Sequence, residues 1–217
     1  GAKHGLQQRA LYRENTERAL GAGAAAVWTK LCGRQNFSAD HLLVAPEDDL
    51  SLQVHPDDAQ AAKVGYPMGK NEAWYFCKCR EGASIVYDHN MRDRAQMEEY
   101  VRAERWEEIP KTRPVKDGDF VYIPAGMMHA MGRGVIVYEI QQSTDITYRF
   151  YDWDRVDEHG NGRELHIEKA LAVSKPETKL EKIEGTTVLC KGGSRTYYIS
   201  DTHFELCRLN LSGLMPL

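Results

Sequence analysis

A chain of 217 residues with 42% apolar side chains is long enough to bury a sizeable core. Its formal net charge of −4 and pI near 6.1 argue against general binding to nucleic acid or membrane surfaces, while leaving room for a local basic pocket around a small anion. No stretch approaches the length of a bilayer-spanning helix, the start lacks a secretory pattern, and five scattered cysteines read as free thiols in a reducing, cytoplasmic setting.

In chain order, residues 3–22 read as a charged amphipathic helix with Leu6, Ala10, Leu11 and Leu20 on one side, and GAGAAAVWTKLCGRQ as another short helix. The character changes at Asp49. LSLQVH alternates strictly, turning Leu50, Leu52 and Val54 one way and Ser51, Gln53 and His55 the other. PDDAQAAKVG predicts a short helix capped near Pro56–Asp57 and ended by the glycines of GYPMGKN. EAWYFCKC and ASIVYD read as paired strands turning at Glu81–Gly82, with Cys77 and Cys79 on a shared face. Residues 92–108 read as a helix with Met97, Tyr100 and Val101 as its apolar stripe. Strands are expected at FVYIP, GVIVYEIQQS and ITYRFYDW, a last helix at HIEKALAV, and three further strands in TTVLC, RTYYIS and HFELCRLNL. There is no internal repeat. The pattern is mainly β with a few surface helices, a barrel or sandwich.

DGDFVYIPAGMMHAMG carries the functional signal. A short strand runs into a tight turn that presents His129 at the head of the next strand. Gln53 and His55 share a strand face, and Glu72 opens another strand. Two imidazoles, a carboxylate and an amide oxygen suit a divalent metal that keeps an open position. Each residue alone would be an ordinary structural group.

The spacing Gly118-x5-Pro124-x-Gly126-x2-His129 resembles the second signature of the cupin superfamily, and Gln53-x-His55 followed by Glu72 resembles the first, with a helix inserted. LSLQVHPDD, GKNEAWY, DGDFVYIPAGMMHAMG, EIQQSTDITYRFYDWDR and RELHIEKAL together resemble the type I mannose-6-phosphate isomerases in their shorter bacterial form. The resemblance implies a cupin-type β-barrel, or jelly roll. It implies one zinc ion per chain on His55, Glu72 and His129, with Gln53 as a fourth ligand in some members. It makes Arg149 catalytic and places Lys70 beside the metal, where both bind the phosphorylated sugar. The implied reaction interconverts mannose 6-phosphate and fructose 6-phosphate by moving a proton between C2 and C1. Lys70, Glu139 and a zinc-bound hydroxide are the candidate proton carriers, Glu139 having the alternative role of orienting a ligand histidine. Arg133 is a further candidate cation for the phosphate. The remaining histidines, His166 among them, show no spacing that ties them to the site.

Both ends depart from the family pattern. The expected organisation is an N-terminal helical segment (1–35), a metal-binding cupin domain (36–175) and a partial C-terminal β segment (176–217) from a truncated second β domain. Strands absent relative to the family motivate a homodimer that covers an open sheet edge. The alternative function is a catalytically weak metal-binding cupin that senses a sugar phosphate or is a remnant of a longer enzyme. An iron-dependent cupin oxygenase shares the ligand set, but the matched motifs extend well beyond the ligands.

Overall fold

The computed structural model describes residues 39–178, 182–200 and 202–212, and the backbone of 26–30. The expected helix over 3–22 and Cys32 lie outside the described residues. Ala26–Lys30, expected in a short helix, is strand β1. The strands that follow are β2 (Ala39–Val44), β3 (Leu52–Val54), β4 (Glu72–Cys79), β5 (Ser84–His89), β6 (Pro110–Pro114) and β7 (Phe120–Ile123). Then come β8 (His129–Ala130), β9 (Val135–Gln142), β10 (Tyr148–Tyr151), β11 (Thr186–Cys190), β12 (Gly193–Ser200) and β13 (Glu205–Leu211). The described helices are α1 (Asp58–Ala62), α2 (Arg94–Arg102) and α3 (Ile167–Val173).

All pairings are antiparallel, as the alternating hydrophobic pattern requires of sheets with two distinct faces. A five-stranded sheet in the order β10-β3-β8-β5-β6 faces a four-stranded sheet in the order β2-β9-β4-β7. Trp74, Phe76, Val121 and Val137 of the smaller sheet pack against Ile85 and Met131 between the two. The other face of the five-stranded sheet, carrying Leu52, Val54 and Phe150, is covered by Met97 and Val101 of α2 and Ala170, Leu171 and Val173 of α3. The other face of the four-stranded sheet, carrying Ala73, Tyr75, Phe120 and Ile140, is covered by Phe204 and Leu206. Those two residues belong to the region of a third sheet, β1-β13-β12-β11. The result is the mainly β, cupin-type architecture expected, with the helices on one outside face.

Local chemistry explains most boundaries. Asp57 caps α1 with a reciprocal pair: its carboxylate accepts from Gln60 N at 2.8 Å, and Gln60 Oε1 accepts from Asp57 N at 3.0 Å. Asp93 caps α2 by accepting from Gln96 N at 2.9 Å. That helix ends six residues before the expected boundary at 108, because Glu104 takes φ +55° and turns the chain away. Trp106 beyond the turn stacks on Tyr151 with ring centroids 5.2 Å apart.

A bulge in β4 corrects the reading of its cysteines. Pairing with β9 shifts between Phe76 and Lys78, so the two-residue alternation breaks at Cys77. Cys77 packs with the outer cluster and Cys79 with the inner one, on opposite faces of the sheet. Both are free thiols, and burial pushes the Cys79 thiol up to about 11. Among the described residues, no helix is long and apolar enough to cross a membrane.

Candidate metal centre and active site

Three separate segments deliver the centre. His55 follows β3 directly, and Glu72 opens β4. His129 opens β8 after the turn at Gly126, whose φ of +90° suits glycine, and whose N–H donates to the His55 carbonyl at 2.7 Å. A second glycine lets the Glu72 segment approach. A Cβ on Gly69 would stand 2.4 Å from the Asp57 carbonyl carbon, and this closeness allows Lys70 N to donate to Pro56 O at 3.0 Å. His55 and Glu72 are each 1% exposed and His129 is fully buried. One ligand atom from each lies within 4.8 Å of the others.

The tautomers follow from the backbone. His55 Nδ1 donates to Ile146 O at 2.9 Å, and His129 Nδ1 donates to Met127 O at 2.9 Å. Each ring therefore turns a bare Nε2 toward Glu72, at 3.3 Å from Oε1 for His55 and 3.4 Å from Oε2 for His129. Burial keeps both rings neutral, lowering His55 below its ordinary value and His129 to about 4. Burial by itself would raise Glu72, but the Lys70 ammonium outweighs it and holds the carboxyl well below its usual range. His55 Nε2 and Glu72 Oε2 are buried without a hydrogen-bond partner. Three lone-pair donors thus face one another with no proton between them, an arrangement that repels itself unless a cation sits among them. Two neutral imidazoles and one carboxylate fit a divalent transition metal.

The flanking groups are polar and ordered. Lys70, 8% exposed, places Nζ 2.7 Å from Glu72 Oε1. Burial opposes its charge, yet the Glu72 carboxylate prevails and holds its pKa above the ordinary value. Gln53 stands opposite His129 in the β3–β8 pairing, its amide 3.4 Å from His129 Nε2. Rotated by half a turn, that amide would present oxygen to the centre. Glu139 stands opposite Trp74 on the inner face of β9, and burial followed by the charge of Glu72 pushes its carboxyl upward, so it holds its proton. Arg149 stands opposite Gln53, on the same sheet face, one strand farther from His129. Its Nε is buried without a partner, and no ion pair engages the guanidinium among the described residues. His55, Glu72 and His129 meet at one end of the space between the sheets, with Lys70, Gln53 and Glu139 beside them, and Arg149 lies one strand beyond Gln53 on the same sheet face. Arg133 is elsewhere. It precedes β9, whose first residue pairs with Cys79 at the opposite end of β4 from Glu72.

No family model matches the chain. The mannose-6-phosphate isomerase of Streptococcus mutans is 38% identical over 173 residues, 78% of this chain and 54% of that protein. Mannose-6-phosphate isomerase ManA of Bacillus subtilis is 38% identical over 179 residues, 79% of this chain and 55% of that protein. The crystal structure of mannose 6-phosphate isomerase from Bacillus subtilis superimposes with a TM-score of 0.78 at 33% identity, covering 83% of this chain and 58% of that one. Over more than three quarters of its length the chain is similar to mannose-6-phosphate isomerases. It spans about half the length of the curated relatives it matches.

Within the strings that resemble mannose-6-phosphate isomerases, several residues brace the centre without having been singled out in the sequence. Gln142 Oε1 accepts from both Asn71 N and Asn71 Nδ2 at 2.9 Å, and its amide donates to Asp58 Oδ1 at 2.9 Å. Asn71 Oδ1 in turn accepts from Ala125 N at 2.8 Å. One network therefore ties the Glu72 segment to the start of α1 and to the turn that carries His129. Trp74 sets its ring edge against the His129 imidazole, centroids 5.6 Å apart. The signal available in the sequence was adjacency: Asn71 sits between Lys70 and Glu72, and Gln142 follows Gln141 at the site end of β9.

Proposed function

We propose that this chain is a zinc-dependent aldose–ketose isomerase that interconverts mannose 6-phosphate and fructose 6-phosphate. The carrying observation is the single polar row Arg149–Gln53–His129 on one sheet, with the buried Glu72 between His129 and His55 from the facing sheet. His55, Glu72 and His129 would hold the zinc, with Gln53 as the fourth donor. When bound, the zinc supplies positive charge that stabilises negative charge developing on the sugar oxygens.

The chain's own groups divide the remaining work. Lys70 is kept as an ammonium chiefly by the Glu72 carboxylate, so it donates a hydrogen bond to a sugar oxygen and does not abstract a proton. Arg149 carries a permanent charge on the same face and suits the phosphate or the enediolate oxygen. Glu139 is the buried carboxyl left to move the proton between C2 and C1. Burial first, then the charge of Glu72, push its pKa up to about 8, near the operating pH, where one group can both take and return a proton. The two-sheet enclosure keeps bulk water from the carbanion-like intermediate.

A coupled assay for fructose 6-phosphate formation tests the reading, run with chelator and after zinc is restored. Turnover that disappears and returns supports it. One zinc per chain with no turnover in any condition would replace it with the sugar-phosphate sensor.

A further inference from the structure

We infer that His166 is a positioning residue for Arg149, its imidazole and its backbone N–H together clasping the free edge of β10 at that residue. β10 is the outermost strand of the five-stranded sheet and pairs with β3 on one side only. Its pairing is irregular there, the register shifting between Arg149 and Tyr151. On the open side no strand satisfies Arg149. Instead Arg149 N donates to His166 Nδ1 at 3.2 Å, and His166 N donates to Arg149 O at 2.8 Å. The ring nitrogen stands where the carbonyl of a neighbouring strand would otherwise be.

His166 holds the N-cap position of α3, yet its side chain makes no capping hydrogen bond. A residue chosen only to start a helix would direct its side chain at the orphan N–H groups of the first turn. This one is directed at Arg149. Its ring packs against Tyr148 with centroids 5.9 Å apart, which restricts rotation. The consequence is geometric: the backbone from which the free guanidinium projects is pinned on both sides, by Gln53's strand and by His166. Small displacements of such a group are costly in rate.

The clasp needs a bare Nδ1, so the ring hydrogen sits on Nε2, which lies 3.7 Å from Glu164 Oε2. Glu164 and Lys169 from its own segment, and Arg149 and Tyr148 from β10, are the charged or titratable groups facing the ring. β3, also packed on α3, presents apolar Leu52 and Val54. α2 commits Arg94 to the carbonyls of Leu171 and Ser174 and Arg102 to Glu168. Burial first, then the charges of Arg149 and Lys169, outweigh Glu164 and lower the ring's pKa. The imidazole is thus neutral at neutral pH, and the clasp opens as pH falls through that lowered value.

The catalytic consequence rests on the isomerase reading above, whereas the clasp itself does not, and the test separates them. Wild type, His166→Ala and His166→Asn are compared by coupled assay between about pH 5 and 8 and by the amide resonance of Arg149. His166→Ala is expected to lower kcat about tenfold, to keep the metal content of wild type, and to shift the Arg149 amide. His166→Asn, whose Oδ1 replaces Nδ1 as acceptor but does not titrate, is expected to recover kcat and to flatten the acid limb that His166 adds to the wild-type profile. If His166→Ala does not fold, His166→Asn and the wild-type titration of the Arg149 amide carry the test. An Arg149 amide that neither moves in His166→Ala nor titrates with the His166 ring overturns the inference, as does unchanged kcat in an active His166→Ala enzyme. If wild type does not turn over, the isomerase reading fails and the amide resonance alone decides the clasp.

Discussion

The two ends of the space between the facing sheets are built from the same strands and do opposite work. Toward the end of β4 at Cys79, Phe76, Val135, Val137, Ile85 and Met131 fill it with hydrocarbon. Toward its start at Glu72, the inward positions are Gln53, Glu72, His129, Glu139 and Gln141. Fully burying a side chain such as Phe76 contributes on the order of 2–3 kcal/mol, whereas burying unpaired polar atoms costs about as much. The polar end is therefore tolerated only because second atoms are tied to backbone, as in the Nδ1 bonds of both histidines. What remains is a set of lone pairs that a cation relieves.

Breaking the polar end has the largest expected effect. His129→Ala, or chelation of wild type, should abolish turnover. Restored zinc should raise the melting temperature of wild type and leave His129→Ala unmoved, as calorimetry would show. A zinc-induced rise of equal size in the variant would remove His129 from the centre. Breaking the apolar end comes next. Phe76→Ala should cost about 3–5 kcal/mol in urea unfolding while the folded fraction keeps its zinc, so loss of metal together with stability would mean that the two ends are not separable.

The comparison sharpens at the margin of the polar end. Arg149→Ala should keep the metal and lose about a hundredfold in kcat, because it removes charge from the substrate without touching a ligand. An arginine variant as fast as wild type would reassign that role. Gln142→Ala should have the smallest effect, about 1–2 kcal/mol in stability with a modest fall in zinc affinity, since it releases Asn71 and Asp58 without touching the centre. Equilibrium unfolding and a competitive zinc titration read the two parts separately.

Much of this was legible because burial writes itself into period and spacing. LQVH alternates since one face of β3, with Leu52 and Val54, meets the helices and the other the centre, whereas Leu50, expected beside them, precedes the strand and packs with the inner cluster. PDDAQAA announces its helix through the Asp57–Gln60 capping pair. What stayed hidden has equally physical causes. PKTRP forms β6 although its propensity is poor, because it is a largely exposed edge strand held by pairing with β5. ADHLLV, an edge strand with no clean alternation, was likewise silent. The bulge at Cys77 reverses parity in mid-strand, which no local pattern reveals. His166 was passed over because its link to Arg149 is a strand-edge contact 17 residues away in sequence.

The convergence of His55, Glu72 and His129 also bears on the order in which the molecule assembles. Gln53 and His129, neighbours across the β3–β8 pair, are 76 residues apart along the chain. The His55, Glu72 and His129 set is not one short stretch that could grip an ion by itself, unlike a zinc finger, whose ligands sit close enough to organise a peptide around the metal. Here the sheets must find their partners across long loops first, a slow, entropy-limited search. An ion bound there would enter a receptacle already made.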